Sequence, residues 1–118
     1  MDIPSWTWEA FENIGESIPT PRASPCLQVL EGNTCVMFGG ADRSLADQGV
    51  GLHGCDDLWI LDLNVEKKQA IWTQLETSTH VPGRNAATLT PVKDKNDEQE
   101  KTFLLQGGWY PFQTTHAE

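Results

Sequence analysis

One order of residues occurs twice in this chain, and it constrains the fold more than any other feature. The stretch "WEAFENIGESIPTPRASPCLQVLEGNTCVMFGG" (8–40) lies over "WTQLETSTHVPGRNAATLTPVKDKNDEQEKTFLLQGG" (72–108). Each copy opens on Trp, passes a Pro-containing turn that ends in Arg, and runs through two apolar segments into Gly-Gly. Trp8 answers Trp72, Pro21 roughly answers Pro82, Arg22 answers Arg84, and Gly39-Gly40 answers Gly107-Gly108. The copies are offset by 64 residues at the Trp and by 68 at the Gly-Gly, the difference being short insertions. Self-similarity on this scale marks a repeat architecture, in which one unit buries its apolar faces only against its neighbours.

The apolar runs predict strands. "CLQVL" (26–30), "TCVMF" (34–38), "DLWILDL" (57–63), "IWTQL" (71–75) and "TFLLQ" (102–106) are short, rich in β-branched, aromatic and leucine residues, and bounded by turn signals. "EGN" (31–33) reads as a tight hairpin. Glycine at the strand ends permits backbone angles closed to other residues and close backbone approach. Pro19, Pro21 and Pro82 stand outside the runs, where a missing N–H costs nothing. "SLADQ" (44–48) predicts one helical turn, too short to stand alone. "VKDKNDEQEK" (92–101) reads as a long solvated hairpin loop.

The net charge of -9 argues against nucleic acid and against an anionic membrane surface, both of which need basic groups. No run nears the roughly 18–20 apolar residues of a membrane span. The start, "MDIPSWTWEAF", lacks the basic and apolar regions of a secretion signal. Three cysteines, an odd and low number, suit reduced thiols. A cytoplasmic location is therefore expected.

Gly-Gly, a variable stretch, "DDLWILDL", a strand-opening Trp and "PGR", in that order, resemble the kelch repeat over residues 6–110. The resemblance implies an all-β fold: part of a β-propeller whose blades are four-stranded antiparallel sheets. It makes residues 26–30, 34–38, 57–63 and 71–76 the inner, second, third and outer strands of one complete blade spanning about 23–76. Residues 6–13 become the outer strand of a preceding blade. Residues 84–108 become half of a following one. Closed propellers need 4–8 blades, so the missing blades are expected from a longer chain or from self-association; a truncated gene product is the third reading.

The resemblance assigns structural roles to Trp8, Arg22, Gly39, Gly40, Asp57, Trp59, Trp72, Pro82, Arg84, Gly107 and Gly108. Trp8, Trp59 and Trp72 are read as packing residues. Arg22 and Arg84 are read as forks for carbonyls or a carboxylate, with an anion contact as the other reading. Asp56-Asp57 reads as a turn cap. Among His53, Cys55, Asp56 and Asp57 the His-x-Cys pair can reach one ion, but no Cys-x2-Cys or His-x3-His partner exists and the other cysteines fall on predicted strands, so no metal and no cofactor are expected. Cys26 and Cys35 fall on adjacent strands, and free thiols are favoured over a disulfide. His53, His80 and His116 sit in loops outside any catalytic motif, and neither Gly-Gly belongs to a phosphate loop. The chain is expected not to be an enzyme.

In an antiparallel blade the loops 14–25, 41–56, 77–85 and 109–118 emerge on one side. The partner contacts read from them are Asp42, Arg43, Ser44, Asp47, Gln48, His53, Trp109 and Tyr110; the last two could instead pack on a further blade. The resemblance implies a protein-interaction scaffold. The alternative is a fragment of a galactose-oxidase-like or nitrile-specifier-like protein, with copper or iron ligands supplied elsewhere, or a remnant without function.

Overall fold

The computed structural model describes residues 5–93 and 101–110. Nine strands are found among them: β1 Glu12–Asn13, β2 Cys26–Glu31, β3 Thr34–Phe38, β4 Ala41–Asp42, β5 His53–Gly54, β6 Leu58–Asn64, β7 Gln69–Leu75, β8 Asn85–Val92 and β9 Thr102–Trp109. One 3-10 turn, Ala46–Gln48, stands in the "SLADQ" segment and closes on Gly49 in the left-handed region. The described residues hold no α-helix, and none of their helices is long and apolar enough to cross a membrane.

The main sheet has the order β1-β7-β6-β3-β2. Its last four members are antiparallel neighbours joined in sequence, so each strand pairs with the next one along the chain apart from the β4–β5 excursion. The two-residue turn Gly32-Asn33 closes the β2–β3 hairpin, with Gly32 at φ 51. At the β6–β7 turn the Asn64 side chain accepts the Lys67 N–H at 3.0 Å, while Lys68 takes a positive φ of 54. β8 and β9 form a separate hairpin against β2, where the Cys26 thiol donates to the Ala87 carbonyl (3.2 Å) and the Gln28 amide to the Leu89 carbonyl (3.2 Å).

Register and the period of two assign a face to every side chain of the sheet. Cys26 pairs with Phe38, Phe38 with Leu58 and Leu58 with Leu75, so these four share the face toward β8. Leu27, Met37 and Trp59 share the other face, with Leu61 and Trp72 along the same side. Both faces are apolar. The centre of the sheet is well covered, with Val36, Met37, Phe38 and Trp59 all buried, but Leu27 and Val29 on one face and Ile71 and Leu75 on the other stand in solvent. Trp59 and Trp72 meet edge to face, ring centroids 6.3 Å apart at 88°, a favoured aromatic geometry.

Three placements differ from the reading of the sequence. Of residues 6–13, only Glu12–Asn13 is strand, and it pairs in parallel with Gln69–Ala70 at the outer edge of the same sheet. Trp8, four residues before that strand, is 101% exposed, so no packing role is realised for it among the described residues. Gly107-Gly108 lies inside β9, where β8 continues to pair as far as Trp109, whereas Gly39-Gly40 follows the end of β3. Most of the charged 92–101 segment lies outside the described residues.

Candidate functional site

The loop between β3 and β6 is the longest connection in the main sheet, and its own two-residue ladder gives it a fixed base. Ala41 pairs with Gly54 and Asp42 with His53. Further bonds tie the base to its surroundings: Ala23 exchanges two backbone bonds with Ala41 (2.8 and 2.9 Å), and the Cys55 N–H donates to Gly40 (2.8 Å). The Gly40 N–H donates to Arg84 (2.9 Å), which carries the following hairpin into the same cluster.

Arg22 organises what lies beneath. Its guanidinium meets both oxygens of Asp57 (2.6 and 3.0 Å) and also donates to the Gly39 and Thr20 carbonyls (each 3.1 Å). Trp59 Nε1 donates to the same Asp57 carboxylate at 2.7 Å. The Arg22 side chain is 5% exposed and that of Asp57 21%. Burial works to raise the Asp57 carboxyl, but the Arg22 and Trp59 bonds outweigh it and hold it below the usual carboxylate range. Burial likewise opposes the Arg22 charge and is overcome by Asp57, leaving Arg22 raised.

The second copy of the repeat reproduces half of this arrangement. Arg84 donates to Pro82 O and Gly107 O (each 3.2 Å), the counterparts of Thr20 and Gly39. Ser24 and Ala86, each two residues after its Arg, both take positive φ (55 and 60). Among the described residues no carboxylate pairs with Arg84. A cavity of about 220 Å³ adjoins it, lined by Pro82, Gly83, Arg84, Gly108, Trp109 and Tyr110.

The residues read as partner contacts separate into two groups. Arg43, Ser44, Asp47 and Gln48 are exposed on the loop. Asp42 is 5% exposed and faces inward, which corrects its reading as a surface contact. Its carboxylate accepts from the Thr20 hydroxyl, the Ser44 N–H (3.1 Å) and the Ser44 hydroxyl (2.8 Å), which folds the loop over it. His53 is 31% exposed and turns Nδ1 toward Asp42 Oδ1 at 3.4 Å. Trp109 ends β9 and is half exposed rather than standing in a loop. A groove of about 520 Å³ runs between the loops, lined by Thr20, Pro21, Arg22, Asp42, Arg43, Ser44 and Leu52 among others.

The acidic and thiol groups of "LHGCDD" part company. Asp57 serves Arg22 and Trp59, while Asp56 pairs with His80 at 2.8 Å. His53 and Cys55 instead join Asp42 from the opposing strand, with one potential ligand atom from each lying within 4.8 Å of the others. Burial pushes the Cys55 thiol up to about 12, with the Asp42 carboxylate adding to the shift. Sequence spacing misses Asp42 because only the β4–β5 pairing brings it across. All three cysteines are free; Cys35 opposes Val29 and Cys26 opposes Phe38, so these two thiols do not face each other across the hairpin.

Burial acts to raise the Asp42 carboxyl, but the Thr20 and Ser44 bonds outweigh it and hold it well below its ordinary value. Asp42 and Asp57 therefore bind fewer protons in the folded chain than in the unfolded one at pH values below the ordinary aspartate pKa of about 3.9. The stability they contribute is complete above that pH and lost as pH falls toward the depressed values. The midpoint of urea unfolding should drop on acidification to about pH 3. Asp42→Asn should lower it at neutral pH and flatten its acid dependence.

No family model matches the chain, and no solved structure does. Among curated proteins it is similar to an F-box/kelch-repeat protein of Arabidopsis thaliana, with 34% identity over 74 residues. The match covers 63% of this chain and 13% of that protein's length. It hints at kelch-like repeats, and the structure beneath it is all-β.

Proposed function

We propose that the chain is part of a kelch-type β-propeller and works as a protein-interaction scaffold without catalysis, in the cytoplasm. The observation that carries the interaction reading is the β4–β5 platform, which displays Arg43, Ser44, Asp47 and Gln48 in solvent beside the 520 Å³ groove. A rigid base with polar side chains on a projecting loop is how scaffolds present contacts. Two features support the propeller. Both faces of the four antiparallel strands β2, β3, β6 and β7 are apolar, as a sheet stacked between neighbours requires. Arg84 repeats the carbonyl half of the Arg22 geometry. Neighbouring sheets would come from further residues of a longer chain or from another copy, and the similarity to a kelch-repeat protein points the same way. The acidic charge favours protein partners over nucleic acid.

The test is a comparison of interacting proteins recovered on the immobilised wild-type chain and on an Arg43→Ala/Asp47→Ala/Gln48→Ala variant of unchanged thermal stability. Loss of specific partners from the variant supports the reading. An identical partner set shows that the loop is not the contact surface. Light scattering on the purified chain separates the two sources of neighbouring sheets: a discrete oligomer supports self-association, polydisperse aggregate points to further sequence, and a well-folded monomer counts against the need for neighbouring sheets.

A further inference from the structure

We propose that Asp42, His53 and Cys55 form a zinc-binding site beside the groove, which Asp42 lines, a capacity separate from the docking of a protein partner. Strand geometry assembles it. Asp42 is the cross-strand partner of His53. Cys55 follows His53 by two residues, the spacing that returns a side chain to the same side of an extended chain. Asp42 Oδ1 and His53 Nδ1 are 3.4 Å apart, and the Cys55 thiol lies beside them, donating to the His53 carbonyl at 3.7 Å. Ligand atoms from all three fall within 4.8 Å of one another. Zinc bonds of about 2.0–2.3 Å place tetrahedral ligands roughly 3.5 Å apart, so the side chains need close by only about 1 Å.

The donor set selects the metal. Carboxylate, imidazole and thiolate together suit zinc, whereas calcium and magnesium prefer oxygen alone. On binding, the Cys55 Sγ–H proton leaves to solvent, and the two anionic ligands balance the dication. The Arg22 charge nearby is already matched by Asp57. Asp42 is held in place by Thr20 and Ser44, the kind of supporting bonds that orient metal ligands. His53 is part-exposed and Asp42 and Ser44 line the groove, which gives the ion an entry path and leaves a fourth position for water.

Cobalt(II) is the probe, because a thiolate ligand gives a near-ultraviolet charge-transfer band and tetrahedral geometry gives intense visible bands. The purified chain should bind one equivalent with both signatures, and zinc should displace it. Cys55→Ser should abolish the charge-transfer band, while Cys35→Ser and His80→Ala should leave it. His53→Ala removes a part-exposed ring and should fold normally by circular dichroism. It should weaken zinc at least about tenfold in competition with a chromophoric chelator. It should also lose the rise in Tm that zinc gives the wild type. Absence of a thiolate band in the wild type, or its persistence in Cys55→Ser, overturns the site. So does zinc affinity unchanged in folded His53→Ala.

Discussion

Asp57→Ala should be among the most damaging single side-chain deletions in this chain, costing about 3–5 kcal/mol. The reason is what it leaves behind. The Arg22 side chain is 5% exposed, and Asp57 both balances its charge and takes two of its donors. Without that carboxylate the guanidinium keeps only neutral acceptors, the Thr20 and Gly39 carbonyls and the Thr20 hydroxyl, and Trp59 Nε1 loses its acceptor as well. Asp57 retains some solvent contact, which puts the cost nearer the lower bound. A small domain has only about 5–15 kcal/mol in hand, so Tm should fall by roughly 10–25 °C. Asp57→Asn should cost less, since its amide oxygen still accepts. Arg22→Ala combined with Asp57→Ala should be less destabilising than the sum of the two single changes, because the stranded charge is gone. A loss below about 1 kcal/mol for Asp57→Ala would place the pair with ordinary surface ion pairs and sink the argument.

The four runs read as consecutive strands of one sheet match β2, β3, β6 and β7 to within two residues at either end. They were legible because each is a short apolar run cut off by a turn that its own residues specify, such as Gly32-Asn33. Trp8 shows where that logic fails: its residue type favours burial, but burial depends on what lies beside it, and here the neighbouring strand is two residues long. Ser24 and Ala86 show a second limit. Both adopt positive φ, which alanine and serine do not announce; only their common position after Arg22 and Arg84 gives the signal. Asp42 shows a third. Its loop position reads as surface, and the inward turn comes from Thr20 and Ser44 bonds, one of them made across 22 residues of sequence.

The two Gly-Gly pairs look alike in sequence but should respond differently to mutation. Gly39 and Gly107 have nearly the same backbone, φ 77 and 79, so adding a Cβ costs each about 1–2 kcal/mol in conformational energy. Their surroundings differ. A Cβ on Gly39 would lie 2.5 Å from the Arg84 carbonyl oxygen, while one on Gly107 would meet nothing within 4 Å. The Arg84 carbonyl has little freedom to retreat, because it accepts the Gly40 N–H at 2.9 Å and the Arg84 N–H is tied to Cys55. Gly39→Ala should therefore add an overpacking cost of about 1–3 kcal/mol that Gly107→Ala does not have. Urea unfolding of the two variants measures the difference directly. A clear excess for Gly39 means that this glycine permits close contact between the main sheet and the following hairpin. Equal losses would mean that backbone conformation alone fixes glycine at both sites, and that the hairpin sits further from β3 than the 2.5 Å contact requires.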